Sequence, residues 1–136
     1  MKIRSLFLFG LLLLGTACQT ADITIPENIQ DISQPMAENL LTSLENNDFE
    51  MFTKDFSAKM AASVDSQTFG TLQEATMQTV GTYTALAYEG TTLEEGYLIS
   101  YYTVTFSNGD LTLRLVLSPK EPHLIEGLWF PDFPTE

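Results

Sequence analysis

Glu126, Tyr102, His123 and Cys18 are the residues of this 136-residue chain whose types and settings could do chemistry. Glu126 is the ambiguous one, because its role depends on the length of the loop before the last strand. With a four-residue loop, Leu115 faces Glu126 and the carboxylate points into an apolar interior. Desolvation there would raise its pKa, as a general base requires, with the Tyr102 hydroxyl as the polar group nearby. With a three-residue loop, Arg114 faces Glu126 on the outer surface, and the two form a weak cross-strand ion pair. The ion pair is preferred because it also gives Arg114 a partner. A one-residue change of register therefore separates a catalyst from a surface contact.

The other polar residues offer less. His123, the only histidine, reads as a solvated residue at a strand start, and without cysteine partners it cannot complete a zinc site. Asp48, Glu50 and Asp55 lack the spacing of a calcium loop and read as helix caps and solvated faces. Ser57-Ala58-Lys59 is one residue short of Ser-x-x-Lys, which on a helix swings the lysine about 100° off the serine face. No nucleophile elbow, phosphate-binding glycine loop or dinucleotide fingerprint is present. The expectation is a domain without metal or cofactor.

Cys18 carries the clearest signal. Lys2 and Arg4 precede an apolar run from Leu6 to Leu14, and Gly15-Thr16-Ala17 follows, the three parts of a secretory signal. The run is shorter than the roughly 20 residues a membrane-spanning helix needs. Leu14-Gly15-Thr16-Ala17-Cys18 resembles the bacterial lipobox, although Gly15 stands where a branched aliphatic is usual. The resemblance implies cleavage after Ala17, a diacylglyceryl group on the Cys18 thiol, and a lipid bilayer as the first partner. As the only cysteine, Cys18 has no disulfide partner within the chain, and lipidation gives the exposed thiol a use. Gln19, rather than Asp, follows the cysteine. By resemblance to lipoprotein sorting, that implies the outer membrane if the organism has two. The expected location is the cell envelope, outside the cytoplasm.

Loss of residues 1–17 would leave 4 basic against 18 acidic residues, a net charge of −14. Phosphate backbones and anionic head groups repel such a surface, which argues against nucleic-acid binding. The remaining length suits one compact domain. Residues 18–32, acidic and containing Pro26, read as a flexible tether. The domain is expected at 33–131, and residues 132–136 as a C-terminal tail.

Helical spacing dominates the first half. Ser33 is expected to cap a helix with Pro35 in its first turn, carrying Met36, Leu40 and Leu44 and ending at Asn46-Asn47. Asp48 caps a second helix bearing Phe49, Phe52, Phe56 and Met60. Asp65 or Ser66 starts a third with Phe69 and Leu72, and Gly81 is placed to end it. The period then alternates. Strands are expected at 82–93, at 97–106, after an Asn108-Gly109 type I′ turn, and at 123–130. That turn would place Phe106 opposite Leu111, Val104 opposite Leu113 and Tyr102 opposite Leu115. Phe49, Phe69, Tyr102, Val104, Leu113, Leu115 and Leu128 are then expected as core or pocket lining. Tyr97, Ile99, Tyr101 and Val116 fall on the other face as a candidate interface. Helices followed by an antiparallel sheet make the fold α+β, with N-terminal helices packed on a curved four-stranded sheet.

Several segments also resemble an uncharacterised bacterial envelope-domain family, domain of unknown function 3887. They are Asn47-Asp48-Phe49, Phe52, Asp55-Phe56-Ser57 with Met60, Gly81-Thr82-Tyr83, and Ile125-Glu126-Gly127-Leu128-Trp129-Phe130. The resemblance covers roughly residues 33–131. It implies a nuclear-transport-factor-2-like fold, a curved sheet around helices that often encloses a cone-shaped pocket and often dimerises through the outer face of its sheet. Related folds include dehydratases and isomerases, so a small enzyme using Glu126 with Tyr102 is the alternative function. The preferred function is a non-catalytic binding or interaction domain, its partner a small apolar ligand, another protein, or a second copy through the sheet face.

Overall fold

The computed structural model describes residues 22–135, so Cys18 and the signal-like segment lie outside the described residues. Four helices precede four strands. They are α1 (Ile29–Asn46), α2 (Phe49–Thr53), α3 (Ala58–Ala62), α4 (Ser66–Thr79), β1 (Tyr83–Glu94), β2 (Tyr97–Phe106), β3 (Gly109–Leu117) and β4 (Ile125–Trp129). The strands form one antiparallel sheet in chain order, with bulges that curve it, and the helices pack on one face. This is the α+β architecture read from the sequence.

Helix α1 starts four residues before the expected cap. Ile29 is only 4% exposed and belongs to the core, so burial anchors a first turn whose Asn28 cap makes no side-chain hydrogen bond. Ser33 is thus an interior helix residue, not a cap, and Ile29–Ile32 belong to the domain rather than to the tether. Pro35 lies inside the helix on its wet side. The Asp31 carbonyl it leaves unpaired within the helix is on an exposed residue, where water can satisfy it. Asp48, Ser57 and Asp65 cap the next three helices, each accepting from the backbone N–H three residues on. The single second helix expected from Phe49 to Met60 is broken in two around Asp55–Ser57. That segment pairs with the start of β4, where Ile125 N–H donates to the Asp55 carbonyl and Ser57 N–H donates to the Ile125 carbonyl.

The type I′ pair is at the other hairpin. Glu95 (φ 50°) and Gly96 (φ 82°) are both left-handed and join β1 to β2. Between β2 and β3 the turn residues are Ser107 and Asn108, and neither has a positive φ. Phe106 pairs with Gly109, Val104 with Leu111, Tyr102 with Leu113 and Ser100 with Leu115, a shift of two from the expected register. The cause is tertiary. Ser107 N–H donates to the Thr82 carbonyl, Asn108 N–H donates to the Val80 carbonyl, and Thr82 N–H donates to the Ser107 hydroxyl. These bonds to the end of α4 and the start of β1 outweigh the local preference of Asn-Gly. Because side chains alternate, a shift of two leaves every residue on its expected face.

The core lies between that face and the helices. Leu98, Tyr102, Val104, Leu113, Leu115 and Leu117 meet Ala37, Leu40, Leu41 and Leu44 of α1, with Phe52 and Phe69 closing one end. Each such apolar side chain contributes about 1.5–3 kcal/mol on burial. Phe49 and Leu128 are half-buried at the margin of this cluster. The C-terminal residues are held as well. Both Asp132 carboxylate oxygens accept from the Thr112 N–H, and Phe133 packs against the core, so the domain extends past the expected boundary at 131.

Candidate functional site

Glu126 faces away from the core. The turn before β4 spans residues 119–123, closed by Ser118 N–H donating to the Leu124 carbonyl, and is longer than either loop considered. Leu115 therefore pairs with Leu128 and Arg114 with Trp129. A register shift falls between Val116, opposite Gly127, and Leu117, opposite Ile125, which leaves Glu126 as the extra residue of a bulge. Its Oε2 accepts a 2.8 Å hydrogen bond from the Ser57 hydroxyl, the same hydroxyl that accepts from Met60 N–H to cap α3. Glu126 thus fixes α3 beside the sheet. The expected Arg114–Glu126 pairing is replaced by two others, Ser57 with Glu126 and Arg114 with Trp129.

The same turn buries His123. It is 5% exposed at φ 45°, and its Nδ1 lies 2.9 Å from the Ser118 carbonyl, to which a protonated Nδ1 donates. The solvated edge histidine expected from the sequence is instead a clasp across the turn.

Tyr102 is on the opposite side of the sheet from Glu126, with no exposed surface. Its hydroxyl pairs with that of Ser33 from α1. Next to it, the Tyr88 hydroxyl bonds Thr91 at 2.6 Å, and Thr91 bonds Ser100 at 2.8 Å. Burial pushes the Tyr102 phenol up to about 12, the Ser33 hydrogen bond offsetting part of the rise. A phenol so placed stays protonated and joins helix to sheet. Glu126 and Tyr102 share no pocket, so the acid–base pair read for the alternative enzyme is not assembled.

A groove of about 480 Å³ opens on the outer face instead. Ile99 and Val116 are adjacent on β2 and β3, 3% and 7% exposed, and are separate from the main core cluster. They form its floor. Lys59 and Met60 of α3, with Ser63 at its C-terminal cap, make one wall, and Glu94, Glu95 and Tyr97 of the β1–β2 hairpin stand at the other end. Trp129, 53% exposed, lies across Gly127, where an added Cβ would come 2.5 Å from the indole. Glycine at 127 is what lets the ring lie on the sheet. The Arg114 guanidinium carbon is 5.4 Å from the centre of that ring, a cation–π contact.

The acidic end is also organised. Glu94 Oε2 accepts from the Thr92 hydroxyl at 2.8 Å and from the Tyr101 hydroxyl at 2.9 Å. These two bonds, with a smaller contribution from Arg114, hold the Glu94 carboxyl below the usual carboxylate range. Of the four residues read as a candidate interface, Ile99 and Val116 are floor, Tyr97 is exposed at the rim, and Tyr101 is spent on Glu94. Lys59, Met60, Gly127 and Trp129 were named only as parts of sequence segments, not as site residues. A tryptophan two residues after a glycine on the last strand was the available clue. Among the described residues, no group of three or more His, Cys, Asp or Glu is placed to hold a metal ion.

The family described as Protein of unknown function (DUF3887) matches residues 37–124, and the chain belongs to it. No curated protein matches the chain. The matched span ends one residue before β4. The groove therefore combines residues inside it, such as Tyr97, Ile99, Arg114 and Val116, with Glu126, Gly127 and Trp129 beyond it.

Proposed function

We propose that this member of the DUF3887 family is a lipid-anchored protein of the bacterial envelope whose domain holds a partner in the groove on the outer face of its sheet. The observation that carries the second half is the groove itself. It has an apolar floor, two exposed aromatic rings and charges of both signs, while the opposite face is filled by packed side chains. Its volume falls within the range of small-molecule sites, but its open, charged rim suits a protein segment better than an enclosed apolar ligand. Two of its carboxylates are engaged in holding the rim, Glu126 by Ser57 and Glu94 by Thr92 and Tyr101, and the domain is read as a non-catalytic interaction module. Helices laid on a curved antiparallel sheet also support placing it in the nuclear-transport-factor-2-like superfamily, here with the cone filled.

The anchor half rests on Lys2, Arg4, the apolar run and Leu14-Gly15-Thr16-Ala17-Cys18, with residues 1–17 removed and a short acidic tether leading to Ile29. Among the described residues no helix is long and apolar enough to cross a membrane. Cys18→Ala should abolish incorporation of labelled palmitate and release the protein from membranes; unchanged retention would sink the anchor reading. For the groove, affinity isolation from native envelopes with the wild type and with Trp129→Ala should recover a partner only with the former. A partner retained equally by both would place the interaction elsewhere.

A further inference from the structure

We infer that the tip of the β1–β2 hairpin rests on the lipid bilayer, as a second contact beside the Cys18 anchor, so that the groove opens next to the membrane surface. The inference depends on the anchor reading above and adds the orientation of the domain to it.

Three observations converge on the tip. The first is the path of the chain. The Ile23 Cδ1 atom is 3.9 Å from where a Cβ on Gly96 would lie, so the segment leading back to Cys18 passes the hairpin turn. Four residues lie between Cys18 and Ile23, which makes five steps along the chain, and an extended chain covers at most about 3.6 Å per step. Ile23, which lies beside the turn, is thus within roughly 18 Å of Cys18.

The second is where apolar surface is left uncovered. The large hydrophobic residues that are exposed include Leu93 at 43% and Tyr97 at 42%, which flank the turn, and Ile25 at 40%, two residues after Ile23. An isolated exposed leucine is ordinary, but here Leu93 on the inner side of the hairpin and Tyr97 on the outer side leave apolar surface on both sides of one turn, which suits a tip that enters the interfacial zone. Tyrosine in particular places its ring in the apolar margin and its hydroxyl among head groups.

The third is charge. Glu94 and Glu95 stand at the same tip, and the chain without residues 1–17 carries a net −14, so an anionic surface is disfavoured and a zwitterionic one, whose outermost charge is an ammonium, is accepted. The occupant is therefore a zwitterionic lipid surface. Because Glu94, Glu95 and Tyr97 also form one end of the groove, a partner held there would be met within reach of the bilayer.

The test uses the full acylated chain on phosphatidylcholine vesicles containing shallow nitroxide-labelled lipid. In a Trp129→Phe background, Leu93→Trp reports the tip and Asp110→Trp reports the far end of the sheet. Circular dichroism confirms that each variant is folded. Leu93→Trp emission should shift to the blue and lose at least half its intensity to the nitroxide, whereas Asp110→Trp emission should be unaffected. Amide exchange in the wild-type chain gives a check free of substitutions, with slowing expected at residues 93–97 on vesicles. Vesicle-bound protein with no quenching at the tip and no slowing there would overturn the inference and leave the anchor standing. Acylated protein that does not sediment with vesicles would overturn both.

Discussion

The two faces of one sheet are built from alternate residues of the same strands, yet they solve opposite problems. On the inner face, Leu111, Leu113, Leu115 and Leu117 of β3 are all buried, and the polar atoms among their neighbours are paired with one another. On the outer face, Thr112 and Arg114 are half-exposed, and Trp129 has more than half its surface free. The inner face uses its hydroxyls to join α1 and β1 to β2. The outer face uses Glu126, through Ser57, to hold a five-residue helix beside a groove. One side is closed by packing and the other is kept open by polar contacts at its rim. This division places recognition on the outer face, although the closed face holds the more strongly shifted titratable group.

Substitutions can break that contrast in graded ways. Leu115→Ala, at the centre of the inner face, should cost about 2–5 kcal/mol, because a fully buried leucine leaves a cavity behind. Urea denaturation followed by circular dichroism measures it, and a loss below about 1 kcal/mol would mean that the inner face is not packed as described.

Tyr102→Phe should cost less, about 1–3 kcal/mol, by leaving the buried Ser33 hydroxyl without its partner. Ser33→Ala in the same background should recover part of the loss, since no orphaned group then remains. The phenol also predicts a pH dependence. Its folded-state pKa of about 12 is above the ordinary value of 10.0, so the folded state holds this proton more tightly. The resulting stability is complete below pH 10 and is lost as the pH rises towards 12. Ultraviolet titration of the folded protein should show one tyrosine ionising after the others, and Tyr102→Phe should remove that last step.

Trp129→Ala should have the smallest effect on folding, below about 1 kcal/mol, because more than half of the residue is exposed and its contacts include Gly127 of the sheet and the Arg114 cation–π pair. A large loss of stability from this change would make the outer face part of the core and remove the distinction.

Element order and the facing of side chains were legible in the sequence, because alternation and helical spacing record burial directly. Even the two-residue error at the β2–β3 turn did no harm to the faces, since it was even. The places where the reading departed from the structure are those where distant contacts decide. Ser33 looked like a cap because its partner, Tyr102, is 69 residues away. Asn108-Gly109 lost its preferred turn to the hydrogen bonds that Ser107 and Asn108 make with Thr82 and Val80. Glu126 depended on the length of a turn whose buried His123 clasps Ser118, which no local pattern announces. The groove was half legible. Tyr97, Ile99 and Val116 follow from alternation, but the bulge at Glu126 and the ring of Trp129 lying over Gly127 do not.

The claim that the outer face is the working surface is tested most directly by photo-cross-linking in native envelopes, with benzoylphenylalanine placed at position 129 or at position 105 of the full chain. Position 129 lies in the groove, and Thr105 is on the same face near the β2–β3 turn. A discrete protein adduct from 129 and none from 105 is the expected result. No adduct from 129, or the same adduct from both positions, would contradict it.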